Sequence, residues 1–318
     1  MLYCKGVPEN ALLAVSGGGD SMALLYMMTE QKIPFAVGHI QHGETIPQIA
    51  AAELVELTAR KLQLPYHVKA VSAPSRGGSG YEAKARKLRY QAFSEWIIQF
   101  GYTAVATAHT LDDVAETVAI ATYRKQGIVA LAGIPENRTI QISPGTTTQV
   151  VRPLINYLRQ ELRDWLESRN LEWFEDPTNL DPTYGLRNRI RYEWSKLSPL
   201  EYAAKISQQL QIANSAHRRI VIAEEIVNES WKHVAELHRN EVRLPTPWLR
   251  SLDSDALQMA LVRIVRHLGQ EAGGLPGGHR RQWEHLLNVG GWGTVGSLGK
   301  TLAYRITKRQ CWIYKVSG

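Results

Sequence analysis

Residues 16–21, Ser-Gly-Gly-Gly-Asp-Ser, place three consecutive glycines beside two hydroxyls and one carboxylate. An apolar run at 12–15 precedes them, and apolar residues at helical spacing follow from Met22. This order predicts a strand, a tight turn and a helix N-terminus. Glycines let backbone N–H groups approach an anion closely, and the start of a helix attracts phosphate. We therefore predict a phosphate-binding loop made of Ser16, Gly17, Gly18, Gly19, Asp20 and Ser21.

A carboxylate in such a loop needs an explanation. No lysine follows the glycines, so the segment is not a Walker loop. The Asp20 carboxylate repels a polyphosphate unless a cation such as Mg²⁺ lies between them. We therefore predict Asp20 as a Mg²⁺ ligand, although Asp20 or Ser21 can also cap the helix. An ordinary glycine turn without a ligand is the simplest alternative.

Histidines and paired carboxylates follow two further apolar segments. His39 and His42 lie at the end of the segment 35–40, and His109 directly follows the segment 104–108, with Asp112 and Asp113 shortly after it. If these segments are parallel strands, their carboxyl ends meet at one edge of the sheet. We therefore expect His39, His109 and the glycine loop to converge on one pocket. A zinc site here is disfavoured by the spacing, and both aspartates can instead cap a helix.

The alternation of apolar segments predicts the fold. Predicted strands at 11–15, 35–40, 66–71 and 104–108 are separated by predicted helices at 20–30, from 47 and at 81–99. This order is typical of an α/β fold with an open parallel sheet and flanking helices. After residue 205 come amphipathic helices at 200–236 and 255–270, then alternation that predicts a terminal hairpin at 302–316. We expect one domain at 1–205 and a small, mostly helical domain at 206–318.

Composition narrows the functional classes. The chain of 318 residues carries 37 Lys and Arg against 30 Asp and Glu, a net charge of +7 that favours polyanionic partners. Cys4 and Cys311 are the only cysteines and form no CxxC pair, which excludes a zinc ribbon or an iron–sulfur cluster built on cysteine. The sequence has no signal-peptide or membrane-span pattern, so we expect a cytoplasmic protein without a membrane partner.

Five segments in order resemble the tRNA(Ile)-lysidine synthetases, a family of the PP-loop ATP-pyrophosphatase superfamily. The resemblance covers about residues 10–195, and the chain length is similar to the short form of the family. Residues 16–21 resemble the superfamily's pyrophosphate-binding loop. The other similar segments are 82–90 (Glu-Ala-Lys-Ala-Arg-Lys-Leu-Arg-Tyr), 108–117 (Ala-His-Thr-Leu-Asp-Asp-Val-Ala-Glu-Thr), 152–154 (Arg-Pro-Leu), and 176–179 (Asp-Pro-Thr-Asn) through 187–191 (Arg-Asn-Arg-Ile-Arg).

The resemblance implies a Rossmann-like PP-loop ATPase fold and a reaction in two steps that uses ATP and Mg²⁺. The wobble cytidine of a tRNA(Ile) with a CAU anticodon attacks the α-phosphorus of ATP and releases pyrophosphate. The ε-amine of free L-lysine then displaces AMP and forms lysidine. By position, the resemblance implies Asp113 as the catalytic carboxylate and Arg89 as a substrate-facing arginine. We predict that His109 donates to a phosphate or orients the adenylated base. We expect anion or tRNA phosphate contacts, against the alternative of a solvated surface, at Arg86, Arg187, Arg189 and Arg191.

Departures from the family pattern and two alternatives remain. The chain differs from the commonest pattern at Gln41, at Val114 and at Lys125-Gln126. The first alternative is another PP-loop enzyme that adenylates a different acceptor, such as a tRNA thiolase. A thiolase normally carries sulfur on a cysteine, whereas Cys4 and Cys311 lie outside every motif. A tRNA- or nucleotide-binding protein without chemistry is the second, and it would release neither AMP nor pyrophosphate. The oligomeric state is open, a homodimer included.

Overall fold

A computed structural model describes residues 2–41, 43, 45–71, 81–143, 145–175, 181–269, 277–299 and 301–316. His42 and the motif at 176–179 lie outside the described residues. Contacts divide the chain into two compact units. The first unit comprises residues 1–117 and 134–208, and the second comprises residues 118–133 and 209–318.

The first unit is built on a six-stranded sheet of order β3-β2-β1-β4-β6-β5. All neighbouring strands are parallel except β5 and β6, which pair antiparallel. The predicted open parallel sheet is confirmed, whereas the β5–β6 hairpin was not predicted because its segment is mostly polar and alternates weakly. The strands are β1 (Ala11–Ala14), β2 (Phe35–Gln41), β3 (Tyr66–Ala70), β4 (Ala104–Thr107), β5 (Asn137–Ser143) and β6 (Thr146–Val151).

Helices cover both faces of this sheet. The central strand β1 is buried on both sides, because Leu13 packs into one apolar cluster and Leu12 into another. Such burial holds the end of β1, and the loop that follows it, in a fixed place. The helices with residues in this unit are α1 (Gly19–Glu30), α2 (Ile46–Lys61), α3 (Tyr81–Phe100), the start of α4 (Leu111–Tyr123), α6 (Arg159–Glu167), α7 (Leu186–Trp194) and the start of α8 (Pro199–Val234).

The second unit contains the predicted helices and terminal hairpin, together with a sheet that the sequence did not predict. Its five strands have the order β7-β8-β11-β10-β9 and pair antiparallel. Trp283 and Tyr304 are the largest side chains that are fully buried in its core. The strands are β7 (Glu236–His238), β8 (Glu241–Pro245), β9 (Thr294–Ser297), β10 (Leu302–Ile306) and β11 (Gln310–Lys315). The helices that lie wholly in this unit are α5 (Ile128–Leu131), α9 (Thr246–Ser251), α10 (Ser254–His267) and α11 (Gly277–Val289).

The short edge and loop segments of this unit explain why its sheet was missed. Strand β7 has three exposed residues and strand β9 has four residues, one of them glycine. Segments of this length leave too few residues to display an alternating pattern. None of the helices that the structure describes has the length and apolarity needed to cross a membrane.

Candidate active site

The glycine loop joins the end of β1 to the start of α1. Gly17 has a φ of +91°, and a Cβ built on it would lie 3.0 Å from the carbonyl oxygen of Ala51, so only glycine fits there. The predicted capping of α1 by Asp20 or Ser21 is wrong, because the N-cap residue is Gly18 and no side chain caps it. The N–H groups of Ser21 and Met22 donate to the carbonyl oxygen of Gly18, whereas those of Gly19 and Asp20 have no side-chain cap and can meet an anion.

Ser21 stabilises the loop in another way. Its hydroxyl donates to the carbonyl oxygen of Gly18 at 2.9 Å and accepts from the N–H of Ser16 at 3.1 Å. The hydroxyl oxygen of Ser16 lies 3.2 Å from the hydroxyl oxygen of Ser21. Because the hydroxyl of Ser21 bridges both ends of the turn, the loop is shaped before any ligand arrives.

A cavity of about 400 Å³ opens at the carboxyl ends of β1 and β4. This is the edge of the sheet where ligands of open α/β folds bind. Most predicted site residues meet here, whereas Gly17, His39 and Arg189 are not among the described residues that line it. The predicted residues that line the cavity are Ser16, Gly18, Gly19, Asp20, Ser21, Arg86, Arg89, His109, Asp113, Arg187 and Arg191.

Asp20 lines this cavity with one carboxylate oxygen unsatisfied. Its Oδ2 accepts from Nε of Arg159 at 3.3 Å, whereas its buried Oδ1 has no hydrogen-bond partner among the described residues. Burial raises the pKa of Asp20 to about 6, opposed by the positive charge of Arg159 and reinforced by the negative charge of Asp113. A buried, unpaired carboxylate oxygen beside an anion-binding loop matches the donor that Mg²⁺ prefers.

Asp113 is held from two directions. Its Oδ2 accepts from the N–H of Thr110 at 3.0 Å, the residue before α4, so the capping role predicted for this carboxylate is confirmed. Its Oδ1 accepts from Nη2 of Arg191 at 3.0 Å and from Nη2 of Arg159 at 3.3 Å. Burial raises the pKa of Asp113, but the two guanidiniums outweigh burial and leave the pKa below its usual value. The carboxylate is therefore ionised at neutral pH.

Glu116 and Arg159, which were not predicted as site residues, complete this network. Glu116 accepts from Nε and Nη2 of Arg191 at 2.7 and 2.8 Å, and from Nη1 of Arg159 at 3.3 Å. The network also includes Asp112, whose Oδ2 accepts from the backbone N–H of Arg159 at 2.7 Å and whose Oδ1 accepts from the hydroxyl of Tyr202. We call Asp20, Asp112, Asp113, Glu116, Arg159 and Arg191 the carboxylate–arginine cluster.

The signal for Glu116 was present in the sequence, and that for Arg159 was not. Glu116 follows Asp113 by three residues on one helix, a spacing that puts both on the same face. Arg159 begins α6 and lies 46 positions from Asp113 in the chain. The residues around Arg159 in the sequence form no motif that predicts a role at the cavity.

His109 is neutral at physiological pH. Its Nδ1 lies 2.8 Å from the hydroxyl oxygen of Thr107. Burial lowers the pKa of His109 to about 4, opposed by the charge of Asp113 and reinforced by the charges of Arg152 and Arg86. A neutral imidazole offers one donor and one acceptor to a ligand. His109 can therefore act as a hydrogen-bonding group and not as a permanent cation.

The histidines that the structure describes do not form a metal site with the acidic residues there. His39 is buried and its Nδ1 lies 2.8 Å from the carbonyl oxygen of Val15, which makes it a structural residue next to the loop. Among the residues that the structure describes, no group of three His, Cys, Asp or Glu could hold a metal ion. The predicted His42 lies outside those residues.

The predicted arginines fall into different environments. Residues 186–194 form helix α7. Arg187 and Arg191 are one helical turn apart, and Nη2 of Arg187 donates to the hydroxyl of Thr117 at 3.0 Å. Arg189 is exposed. On α3, the Arg86 guanidinium carbon lies 4.7 Å from the ring centroid of Tyr90.

This chain is similar to known proteins over much of its length. Residues 2–197 match a family of ATP-binding proteins described as the PP-loop domain. The tRNA(Ile)-lysidine synthase of Thermus thermophilus is 39% identical over 189 residues, which are 58% of this chain and 35% of that protein. The tRNA(Ile)-lysidine synthase of Novosphingobium aromaticivorans is 32% identical over 292 residues, which are 90% of this chain and 84% of that protein.

The coverage of other relatives is smaller. The chain spans between 35% and 61% of the length of five curated relatives of the same name. Among solved structures, the U34-tRNA thiolase NcsA of Methanococcus maripaludis has a TM-score of 0.49 and 15% identity, and it covers 65% of this chain and 73% of its own. A likeness this distant does not bear on the chemistry of the cavity.

Proposed function

This chain belongs to the PP-loop family and, within it, to the tRNA(Ile)-lysidine synthases, and on that premise we propose that it joins free L-lysine to the wobble cytidine of a tRNA(Ile) in an ATP-dependent reaction. One observation carries the proposal. A single cavity brings together an uncapped helix N-terminus, a carboxylate with an unpaired oxygen at Asp20, and an ionised carboxylate at Asp113. The first suits a polyphosphate, the second a cation, and the third an amine.

We assign ATP to the glycine loop. The first-turn N–H groups of α1 would hold the pyrophosphate as it departs, since negative charge grows on it during attack at the α-phosphorus. Asp20 would hold Mg²⁺ through Oδ1, together with phosphate oxygens and water. The metal supplies charge neutralisation when bound. His109 lies across the same cavity, and because Thr107 engages Nδ1, we assign Nε2 to contact the nucleotide or the activated base.

Asp113 would orient the lysine amine in the second step. Its lowered pKa makes it a weak base but keeps it negative, so it attracts an ammonium group. Both of its oxygens already accept hydrogen bonds from the protein. Four donors already occupy its acceptor sites, the N–H and hydroxyl of Thr110 and the guanidiniums of Arg159 and Arg191, so a lysine amine that binds here must displace one of them.

Among the arginines, the environment of each side chain suggests its role. Arg191 is tied to Glu116 and Asp113, so we assign it to hold those carboxylates in place and not to tRNA phosphate as predicted. Arg189 is exposed, and Arg86, Arg89 and Arg187 line the cavity. Arg86, Arg187 and Arg189 remain our candidates for contact with the tRNA backbone, and Arg89 keeps its predicted role as a substrate-facing arginine.

The second unit adds an electrostatic reason to propose RNA as the substrate. It carries 17 Lys and Arg against 9 Asp and Glu, whereas the first unit carries 20 against 21. A surface with such an excess of cations attracts polyanions. We therefore assign tRNA contact to the second unit, and we place a protein with this substrate in the cytoplasm.

The cysteines argue against the sulfur-transfer alternative. Cys4 and Cys311 are both buried, and burial raises the pKa of each thiol to about 12. A buried thiol with so high a pKa is a poor nucleophile at neutral pH. Neither residue is therefore suited to carry sulfur to an adenylated base.

Incubation with substrate tests the proposal directly. The protein is mixed with a tRNA(Ile) transcript that carries a CAU anticodon, together with ATP, Mg²⁺ and isotopically labelled lysine. Nucleosides from the digested RNA are then analysed by mass. We expect labelled lysidine together with AMP and pyrophosphate. Formation of ADP and orthophosphate as the main products would refute cleavage between the α- and β-phosphates.

A further inference from the structure

The second unit has an open cavity of about 560 Å³ of its own. Its lining consists of Pro247, Arg250, Ser251, Trp292 and Lys308, and we call it the basic–aromatic pocket. It contains two cations, one large aromatic ring and no acidic residue. Nothing in the reaction proposed above uses it.

Three segments build this pocket around one end of the sheet. Helix α9 supplies Arg250, the segment before β9 supplies Trp292, and the turn between β10 and β11 supplies Lys308. Backbone hydrogen bonds hold helix α9 and the segment before β9 against the β10–β11 hairpin. The N–H of Thr246 donates to the carbonyl oxygen of Arg309 at 3.0 Å, and the N–H of Gly293 donates to that of Ile306 at 2.7 Å. The pocket is therefore shaped by the fold and does not depend on a ligand.

The ring of Trp292 is also held in place. Gly290 has a φ of +80°, and a Cβ built on it would lie 3.2 Å from Nε1 of Trp292. The indole thus packs against a position that only glycine leaves open. Trp292 is half-buried, so part of its ring remains accessible.

The cations of the pocket suit a phosphate. The guanidinium carbon of Arg250 lies 5.5 Å from the ring centroid of Trp292, which is the range of a cation–π contact. Arg250 and Lys308 are exposed, and the ion pairs found among the described residues include neither of them. Their charges are therefore not neutralised within the described part of this unit.

These features together match one nucleotide of a single strand. Proteins bind such nucleotides by pairing cations with the backbone and stacking bases on aromatic rings. The excess of 17 cationic over 9 anionic residues in this unit brings a polyanion to it. An acidic peptide would use the cations but leave the indole surface without a stacking partner.

We propose that the basic–aromatic pocket binds one unstacked nucleotide of the RNA substrate, with the phosphate on Arg250 and Lys308 and the base on Trp292. The inference rests on the proposed function, because it takes RNA as the ligand. Bases in an RNA duplex are stacked on their neighbours, so the nucleotide comes from a loop, a bulge or an end. The pocket would add affinity and orientation to tRNA binding without touching the reacting atoms.

Binding measurements over a range of salt concentrations test the pocket. The variants are Arg250→Ala, Lys308→Ala, Trp292→Ala and the milder Trp292→Phe. Arg239→Ala is the matched control, because it removes the same charge from an exposed site in the β7–β8 turn. The register of β8 and β11 puts that turn at the opposite end of the sheet, since Glu241 pairs with Tyr314 while Pro245 pairs with Gln310.

We expect each pocket cation to account for one phosphate contact. Arg250→Ala and Lys308→Ala should each reduce the slope of log affinity against log salt by about 0.7–0.9, and Arg239→Ala should leave it unchanged. Trp292→Ala should weaken tRNA binding roughly 5- to 150-fold, whereas Trp292→Phe, which keeps an aromatic face, should lose much less. Melting curves and ATP affinity should match the wild type in the two cation variants and in Trp292→Phe.

Distinct outcomes separate this inference from the proposed function. If the wild-type protein forms lysidine but all the cation variants keep its salt slope, the pocket is not an RNA site. Equal losses in Arg239→Ala and Arg250→Ala would mean diffuse attraction without a pocket, and would also overturn the inference. Failure of the wild type to form lysidine overturns the proposed function instead, and the binding measurements still decide the pocket because they need no catalysis.

Discussion

The substitution Asp113→Asn removes a buried negative charge that contacts two guanidiniums. Oδ1 accepts from Arg191 at 3.0 Å and Arg159 at 3.3 Å, and Oδ2 accepts from the N–H of Thr110 at 3.0 Å. Asparagine has only one oxygen, so its NH₂ group must face donors on one side. We expect the free energy of unfolding to fall by about 3 kcal/mol, the low end for breaking a buried ion pair, because Glu116 still accepts from both arginines.

This loss of stability must be separated from any loss of catalysis. A change of this size lowers the melting temperature by roughly 6–12 °C for a unit of fewer than 200 residues. Asp112→Asn is the matched control, because Asp112 is also a buried carboxylate in the first turn of α4. It is not among the described residues that line the cavity. Both variants should melt below the wild type.

Activity should distinguish the two variants. Lysidine formation is measured below the lower of the two melting transitions, and the rate is corrected for the folded fraction. Asp113→Asn should be slower than the wild type by about 100-fold or more, the order of the loss when a reacting group is no longer correctly oriented. Asp112→Asn should stay within about tenfold, since asparagine retains an acceptor for the N–H of Arg159.

The reaction step adds a second criterion. If Asp113 acts only on the lysine amine, adenylated tRNA should accumulate in Asp113→Asn. Equal rates in Asp113→Asn and Asp112→Asn would refute the assignment of Asp113 to the reaction. The lowered pKa of Asp113 also makes the free energy of unfolding depend on pH. The stability that this carboxylate contributes is present above its pKa in the unfolded chain and is lost as the pH falls through its pKa in the folded protein.

Three further substitutions test other parts of the site. Asp20→Asn should weaken Mg²⁺-dependent ATP binding at pH 7, and an unchanged metal dependence would remove Asp20 as a ligand. It should not lower the melting temperature, because the pKa of Asp20 is raised to about 6 and its ionised form therefore destabilises the folded state above about pH 4–6. Gly17→Ala should lower both ATP affinity and melting temperature, because the φ of +91° is strained for alanine and its Cβ would lie 3.0 Å from the carbonyl oxygen of Ala51. A wild-type melting temperature and ATP affinity in calorimetry would contradict this loop geometry. Arg189→Ala should reduce the salt slope of tRNA binding by up to about one while ATP affinity stays constant, and equal loss of both ligands would indicate a structural residue.

Much of the scaffold was predictable because it depends on local patterns. Apolar runs ending at residue 15 and residue 108 predicted β1 and β4, and parallel strands place their carboxyl ends at one edge. From that rule we predicted that His39, His109 and the glycine loop meet in one pocket, and His109 and the loop do line one cavity, whereas His39 is not among its described lining residues. The spacing of strand, glycines and helix also predicted the start of α1.

The chemistry of the cavity was less predictable, because it depends on partners far away in the chain. Arg159 lies 139 positions from Asp20 and 46 from Asp113, yet it contacts both carboxylates. Arg191 was predicted as a phosphate contact from the positive charge of the chain, whereas its guanidinium binds Glu116, 75 positions away. A residue type indicates the charge that is available, but the fold decides which opposite charge lies within reach.

The amino-acid sequence by itself determined the parallel sheet, the anion-binding loop and the residues that lie at the carboxyl edge of the sheet. These features follow from hydrophobic periodicity and from the positions of glycines, which act over a few residues. Only the tertiary structure decided that α1 has no side-chain cap, that Asp20 keeps one oxygen unpaired and that Asp113 is ionised between two arginines. It also decided that β10 and β11 join a five-stranded sheet. The physical reason is the same in each case. Burial and electrostatic interaction depend on distances in space, and residues far apart in the chain acquire those distances only when it folds.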